Sequence, residues 1–162
     1  MIVSGLLAVD AGLHTGLARY GRHGRLVWYR STNFGARPRL KAGVKALLAG
    51  ERDIERLVVE GGGDLAEIWE REAGRRGIEV MRVSAEEWRE FLLLPRQRAD
   101  GATAKRQAIE AARLVIEWSG AKKPTSLRHD AAEAILAGMY AVVTFGWLGE
   151  PPDGLFGGPR KG

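Results

Sequence analysis

Three short β-prone runs lie near the start of the chain, and glycine-containing turns separate them. The first run, Ile2 to Val9, is apolar and ends at Asp10. The next two runs, Leu17 to Tyr20 and Leu26 to Ser31, are joined by Gly21-Arg22-His23-Gly24, whose glycines permit the positive φ angles of a tight hairpin. We therefore expect an antiparallel meander. Because such a sheet has apolar faces to bury, the remaining chain must cover it with further layers.

Strands and helices are expected to alternate after this meander. A helical pattern covers Pro38 to Leu48, and Ile54 to Val59 is predicted as a buried strand that ends at Glu60. The glycines at positions 61 to 63 then interrupt regular structure. Asp64 is predicted to cap a helix that continues to about Arg75, since its carboxylate can accept hydrogen bonds from amides of the first turn.

The same alternation continues in the next segment. Ile78 to Val83 is predicted as a strand. Ser84 and Glu87 have the spacing of a capping box, which begins a helix that ends near Leu93, before Pro95.

The last part of the domain is predicted to be helical. The polar segment 96–102 is expected to be a mobile loop, after which Thr103 caps a helix that reaches about Ser119. A final helix is predicted from about Leu127 to Val143. The order βββαβαβα with extra helices predicts an α/β fold, with one mixed five-stranded sheet flanked by helices.

Length and composition suit a single cytosolic domain. The chain has 162 residues and no apolar run near the roughly 20 residues that cross a bilayer. It contains no cysteine, and its first residues lack the features of a secretory signal peptide. We expect a soluble cytoplasmic protein with no membrane association. The domain is predicted at residues 1–148, and the Pro- and Gly-rich segment 149–162 is predicted to be a flexible tail.

The chain is basic, with a formal net charge of +5, and arginine outnumbers lysine among its 25 basic residues. Arginine binds phosphate through two parallel hydrogen bonds, so nucleic acid is a plausible partner. Charge alone does not separate this interpretation from an ordinary solvated basic surface.

Four acids occupy positions where a mixed sheet can bring side chains together. Asp10 and Glu60 end predicted strands, and Asp130 and Glu133 stand three residues apart near the start of the last helix, on one face. Taken singly, such acids are often caps or partners of the helix dipole. Clustered carboxylates repel one another unless cations are present, and oxygen ligands favour Mg²⁺ or Mn²⁺. Two such ions about 4 Å apart support phosphodiester cleavage.

Three segments resemble the acidic motifs of the RuvC-type Holliday-junction resolvases, in the same order along the chain. They are Asp10 to Gly16 (DAGLHTG), Val58 to Glu60 (VVE) and His129 to Ile135 (HDAAEAI). Ala102 to Ala108 (ATAKRQA) is similar to the family's segment with an active-site lysine, and Val83 to Arg89 (VSAEEWR) to its stretch with a basic residue near the cleaved phosphate. The resemblance covers about residues 2–143. It implies an RNase H-like fold.

The resemblance also implies an activity. The family's members are homodimers that cut two symmetric strands of a four-way DNA junction during recombination and repair. By likeness, Lys105 would act in catalysis by holding the scissile phosphate, and Arg89 would occupy the other basic position. The catalytic metal ligands, with two Mg²⁺ ions per site that Mn²⁺ can replace, would be Asp10, Glu60, Asp130 and Glu133.

Further basic residues are predicted to contact DNA phosphates. Together with Arg89 they are Arg96, Arg98, Lys105 and Arg106, which flank a loop and a helix start. A merely solvated charge run is the alternative. The tryptophans at positions 69, 88 and 118 are predicted to pack in the core, and His14 and His129 are left outside the proposed site.

Other interpretations stay open on sequence grounds. The DAG motif followed by Thr15-Gly16 also occurs in the phosphate-binding turn of actin-like ATPases and sugar kinases, but those folds use two domains. The same acids would serve an RNase H-like nuclease that cuts another branched DNA, RNA or an RNA–DNA hybrid. A binding module without catalysis is the third alternative. One difference from the resolvases is Gly61-Gly62-Gly63, where the family carries a longer segment with an aromatic residue.

Overall fold

The three N-terminal strands form an antiparallel meander in the computed structural model, which describes residues 4–156. Strand β1 (Gly5–Asp10) pairs with β2 (His14–Gly21), and β2 pairs with β3 (Leu26–Asn33). Gly24 has a φ of 82° in the β2–β3 turn, a conformation that glycine adopts without a steric penalty. The predicted meander is confirmed, and the predicted start of its first strand at Ile2 lies outside the described residues.

Two parallel strands and five α-helices complete the fold of the described residues. β4 (Ile54–Glu60) runs parallel to β1, β5 (Glu79–Val83) runs parallel to β4, and the sheet order is β3-β2-β1-β4-β5. The predicted order of strands and helices is confirmed. No helix in the described part of the chain is long and apolar enough to cross a membrane. The remaining elements are α1 (Arg37–Gly50), β4 (Ile54–Glu60), α2 (Gly63–Arg75), β5 (Glu79–Val83), α3 (Ala85–Leu92), a 3₁₀ turn (Pro95–Arg98), α4 (Gly101–Ser119) and α5 (His129–Thr144).

Of the three predicted helix caps, that of α3 is present and those of α2 and α4 are wrong. In the capping box of α3, the Glu87 amide donates to Ser84 Oγ and the Ser84 amide donates to Glu87 Oε1, each at 3.1 Å. Helix α2 instead begins after Gly62 without a side-chain cap. Asp64 lies inside its first turn, where its carboxylate pairs with Arg37 of α1. An ion pair to a neighbouring helix has therefore replaced the predicted capping contact.

The segment predicted as a mobile loop is more regular than expected. It contains the 3₁₀ turn, and α4 already begins at Gly101. Asp100 is the N-cap in place of Thr103, because its Oδ1 accepts from the Thr103 amide at 2.8 Å. The N-cap of α4 therefore lies three residues earlier than predicted, because the Asp100 carboxylate accepts the hydrogen bond from the backbone amide of Thr103.

Two hydrophobic layers cover the two faces of the sheet. Alternate residues of β1 point to opposite faces, as a strand requires. Leu7 and Val9 pack in the cluster that includes buried residues of α1 and α2. Leu6 and Ala8 pack in the cluster formed with α3, α4 and α5. Residues of β1 and β4 that share the parity of Leu6 and Val58 therefore face α5.

Helix α5 lies unusually close to β1 and β2. A Cβ atom at Gly16 would overlap the backbone carbonyl of Asp130, and one at Gly138 would overlap the ring of Tyr20. The Tyr20 hydroxyl donates to the Ile135 carbonyl, which joins strand and helix across the core. Small residues at these crossings therefore fix the height of α5 above the sheet.

Part of the predicted tail contacts the domain. The Phe156 amide donates to the Leu92 carbonyl at 3.1 Å, and Pro152 is buried. Leu155 packs against the α5-side core. A flexible tail thus stays a prediction for residues 157–162, which lie outside the described residues.

Gly16→Ala is predicted to destabilise the fold by about 2 to 3 kcal/mol, because its new methyl meets backbone that only a displacement of α5 can move. Urea denaturation measures the change. Gly74→Ala is the control, since this α2 position has open space around it and alanine favours helix. Equal stability of Gly16→Ala and wild type would contradict the close approach of α5.

Candidate metal centre

Two carboxylates stand side by side where parallel strands β1 and β4 end. Asp10 and Glu60 are register partners in the pairing of these strands. Asp10 has the parity of Leu6 and Ala8 on β1, and Glu60 has that of Val58 on β4, so both point toward α5.

Helix α5 brings a third carboxylate over the same strand ends. Oxygen atoms of Asp10, Glu60 and Glu133 all lie within 4.8 Å of one another. Glu133 is one turn into α5, the helix whose height Gly16 and Gly138 set. The structure thus brings together three of the four acids that the sequence analysis selected.

Glu60 is the most enclosed member of this group, with only 4% of its surface exposed. Its Oε1 accepts a hydrogen bond of 2.8 Å from the indole Nε1 of Trp88, a fully buried side chain on α3. Its Oε2 is also buried and receives no hydrogen bond from an N–H or hydroxyl donor of the described residues. A buried carboxylate oxygen needs a partner. Without metal the carboxyl proton of Asp10 can supply a hydrogen bond to Glu60, and a cation can take the place of that proton.

Burial and mutual repulsion hold protons on two of these acids. Burial, followed by the charges of Glu60 and Glu133, raises the pKa of Asp10 to about 9. Burial, followed by the charge of Glu133, raises the pKa of Glu60 to about 7, although the hydrogen bond from Trp88 opposes this shift. At neutral pH the group without a cation therefore carries less than its full negative charge.

Two basic side chains hold Glu133 in place. Its Oε1 lies 2.9 Å from His129 Nε2, one turn back on α5, and 3.3 Å from Arg89 Nη2 on α3. The Nε atom of Arg89 and the Nδ1 atom of His129 are buried without a hydrogen-bond partner among the described residues. Each of these side chains thus carries one buried nitrogen whose hydrogen-bonding capacity is unused among the described residues.

Asp130 lies next to the group but outside it. Its Oδ1 accepts from Ser31 Oγ of β3 at 2.6 Å and from the Ala131 amide at 2.7 Å. These bonds anchor the start of α5 to the sheet. Its Oδ2 takes part in neither bond, so one oxygen remains for a ligand.

The basic residues predicted to contact DNA fall into two sets. Arg89 and Arg98 line one pocket of about 370 Å³ together with the acids Glu86, Glu90 and Asp100, and Arg89 links this pocket to Glu133. The Nε of Arg98 is buried without a described partner. Arg96, Lys105 and Arg106 are exposed on the 3₁₀ turn and the first turns of α4. The structure shows no contact between Lys105 and the three clustered carboxylates.

The donor set fits a hard divalent cation. All three clustered ligands are carboxylates, which Mg²⁺ and Mn²⁺ prefer. The unpartnered Oε2 of Glu60 and the raised pKa of Asp10 both describe a site where negative charge lacks compensation. A cation held by Asp10, Glu60 and Glu133 would remove both deficits.

The sheet order, with three N-terminal antiparallel strands, two parallel strands and acids at the ends of β1 and β4, is that of the RNase H-like fold. One solved structure with this fold is the yeast mitochondrial Holliday junction resolvase Ydc2, to which the chain is similar with a TM-score of 0.54 at 10% identity. The match covers 91% of this chain and 84% of the resolvase. The predicted fold is confirmed. No protein-family model and no curated protein sequence matches the chain.

The sequence analysis missed two side chains of this site. Trp88 was assigned to the core, which is correct, but its indole also donates to Glu60. His129 was left outside the site, yet it contacts Glu133. The i, i+4 spacing of His129 and Glu133 was a signal for the second contact. No signal in the sequence indicated the first, because it joins α3 to the end of β4.

Without metal, the free energy of unfolding is expected to fall as the pH rises from about 5 to about 9. The unfolded chain releases the protons of Asp10 and Glu60 near pH 4, whereas the folded chain retains them up to pKa values of about 9 and about 7. The raised folded pKa values make stability greatest at low pH. Thermal unfolding in EDTA across this range measures the effect.

Asp10→Asn removes one of these titrations, so its unfolding should depend less on pH. Glu67→Gln, at an exposed acid of α2, is the control and should follow the wild type. Mg²⁺ or Mn²⁺ should stabilise the wild type more at high pH, where the carboxylates are free of protons. Wild-type stability that rises with pH in EDTA would contradict this account.

Proposed function

We propose that this chain is a divalent-metal-dependent endonuclease of branched DNA, with the four-way junction as its substrate. The observation that carries the proposal is the convergence of Asp10, Glu60 and Glu133 within 4.8 Å on a fold shared with a Holliday junction resolvase. The resemblance of three acidic segments to the RuvC-type resolvases supports the same activity.

In this proposal Asp10, Glu60 and Glu133 hold one Mg²⁺ or Mn²⁺ ion. A second ion would use Asp130, whose Oδ2 is not engaged by Ser31 or by the Ala131 amide. Held by these carboxylates, such ions would supply positive charge that activates water and stabilises the leaving oxygen of a phosphodiester.

The protein's own side chains then orient the ligands and the substrate. Trp88 fixes the rotamer of Glu60 through Oε1, while Arg89 and His129 fix Glu133. We assign Arg89 to the phosphate that is cut, because its guanidinium already contacts Glu133 and is the basic group that joins the carboxylates to the neighbouring pocket.

The remaining basic residues bind DNA without reading its sequence. Arg96, Lys105 and Arg106 are exposed beside this pocket, and we assign them to backbone phosphates. Lys105 reaches the scissile phosphate when substrate is bound. The enzyme is a homodimer, because symmetric cleavage of a four-way junction requires two active sites. It acts in the cytoplasm and serves recombination and repair.

The test is cleavage of a labelled four-way junction beside duplex, flap and RNA–DNA hybrid substrates, with Mg²⁺, Mn²⁺ or EDTA. We expect symmetric paired nicks in the junction, and loss of cleavage in EDTA. Asp10→Asn and Glu60→Gln should each lower the cleavage rate by more than about 100-fold, since even loss of a group that only orients a ligand costs about 10- to 100-fold.

Glu67→Gln is the control for the acid substitutions and should cleave as the wild type does, because its side chain is exposed on α2 and pairs with Arg71. Preference for a flap or a hybrid would reject the four-way junction and keep the nuclease. Tight junction binding without cleavage by the wild type under any metal condition would reject catalysis and favour a binding module.

A further inference from the structure

A groove lies between the β3 edge and the loop that precedes α5. Its walls are Val27, Trp28 and Tyr29 on one side and residues 122–126 on the other, and it encloses about 460 Å³. β3 is the outermost strand of the sheet, so its outer edge has no neighbouring strand among the described residues. The Tyr29 hydroxyl donates to the Lys122 carbonyl and so holds the loop against the strand.

The charged side chains that line this groove are all positive. Lys122 and Lys123 are exposed in its wall, and no acidic residue lines it. Arg30, with its guanidinium 4.4 Å from the Trp28 ring, adds positive charge at one side. The cleft between α1 and α2 differs, because there basic side chains are mixed with Asp64, Glu67 and Glu72. A polyanion is therefore expected to bind more strongly in the groove than in the cleft between α1 and α2.

The groove also offers aromatic and apolar surface. Tyr29 is half-buried and packs against the α5-side core, whereas Trp28 packs against the α1-side core and has the Arg30 guanidinium over its ring. Val27 is the exposed large hydrophobic side chain of the described residues, with 48% of its surface accessible. A ring that is fixed on one side, as that of Tyr29 is, can serve as a stacking surface for a base. Lysines next to such rings are the combination that binds single-stranded nucleic acid.

Both elements that form the groove continue along the chain to residues near the metal centre. Ser31 follows Tyr29 by two residues, about 7 Å along the strand, and its Oγ donates to Asp130. The opposite wall continues from Ser126 into α5, which carries His129 and Glu133. A strand of DNA lying in the groove would thus pass Asp130 and cross β2 before it reached the carboxylates at the ends of β1 and β4.

We propose that this groove binds a single-stranded segment of DNA next to the site of cleavage, with phosphates on Lys122 and Lys123 and bases against Tyr29 and Val27. The inference rests on the proposed function for its biological substrate. The groove is bounded by a strand edge and a loop, so it favours one strand over a duplex. Its positive charge disfavours a neutral peptide added to the β3 edge.

The experiment measures binding of a fluorescent oligothymidylate of about 15 nucleotides in EDTA, over a series of salt concentrations. Lys122→Ala/Lys123→Ala should weaken binding by about tenfold or more. It should also lower the slope of log K against log salt by about 1.4, because each single-strand phosphate contact contributes about 0.7. The backbone carbonyl that Tyr29 contacts is retained in this variant.

Lys41→Ala/Lys45→Ala is the matched control, since it removes two exposed lysines from α1 on the opposite face of the sheet. It should bind the oligonucleotide as the wild type does, and thermal unfolding verifies that both variants fold. Unchanged affinity and slope in Lys122→Ala/Lys123→Ala would overturn the proposal, as would wild type that does not bind the oligonucleotide.

Two further outcomes would overturn the proposal. If Lys122→Ala/Lys123→Ala converts a dimer into monomers, the groove is an interface between copies of the chain. If duplex binds more strongly than oligothymidylate, the groove is a contact surface for duplex DNA. Because binding is measured in EDTA, a failure here leaves metal-dependent cleavage untouched. A wild type that binds the oligonucleotide but never cleaves would reject the nuclease alone.

Discussion

The close approach of α5 to β1 and β2 is the constraint on which the site depends. Gly16 and Gly138 leave no side chain where the helix crosses the sheet, and alanines fill much of the remaining contact. A longer side chain at either glycine would lift the helix. Because Glu133 reaches the ends of β1 and β4 only at the present height, the packing of small residues sets the distances between the carboxylates.

That packing has an electrostatic cost. Burial that favours the apolar residues of α5 also removes water from Asp10 and Glu60, and the pKa of each carboxyl rises. Trp88 offsets part of this cost at one oxygen of Glu60, and Arg89 and His129 offset part of it at Glu133. The Oε2 atom of Glu60 has no N–H or hydroxyl donor among the described residues, so its partner is either the carboxyl proton of Asp10 or a cation that replaces it.

The sequence predicted those features that depend on local pattern. Glycine turns and β-prone runs indicated the meander, and the two strand-ending acids were found because strand and acid are adjacent in sequence. Contacts between distant segments were harder to predict: Trp88 with Glu60, and Ser31 with Asp130, join residues that no local period relates. The cap of α2 was misplaced for the same reason, since Asp64 pairs with Arg37 of another helix. The cap of α4 was misplaced because two neighbouring polar residues, Asp100 and Thr103, could each have capped the helix.

The turn after Glu60 gives the site a different border from that of the resolvases it resembles. Gly61 has a φ of 109° and packs beside Ala11, and its carbonyl accepts from Arg82 at 2.6 Å. Gly62 and Gly63 have open space around them. Aromatic surface is absent from this turn but present at the β3 edge, on the other side of β1 in the sheet order. The proposed single-strand groove thus lies on the β3 side of the carboxylates, whereas the β4 side ends in a turn whose glycines leave open space next to the metal centre.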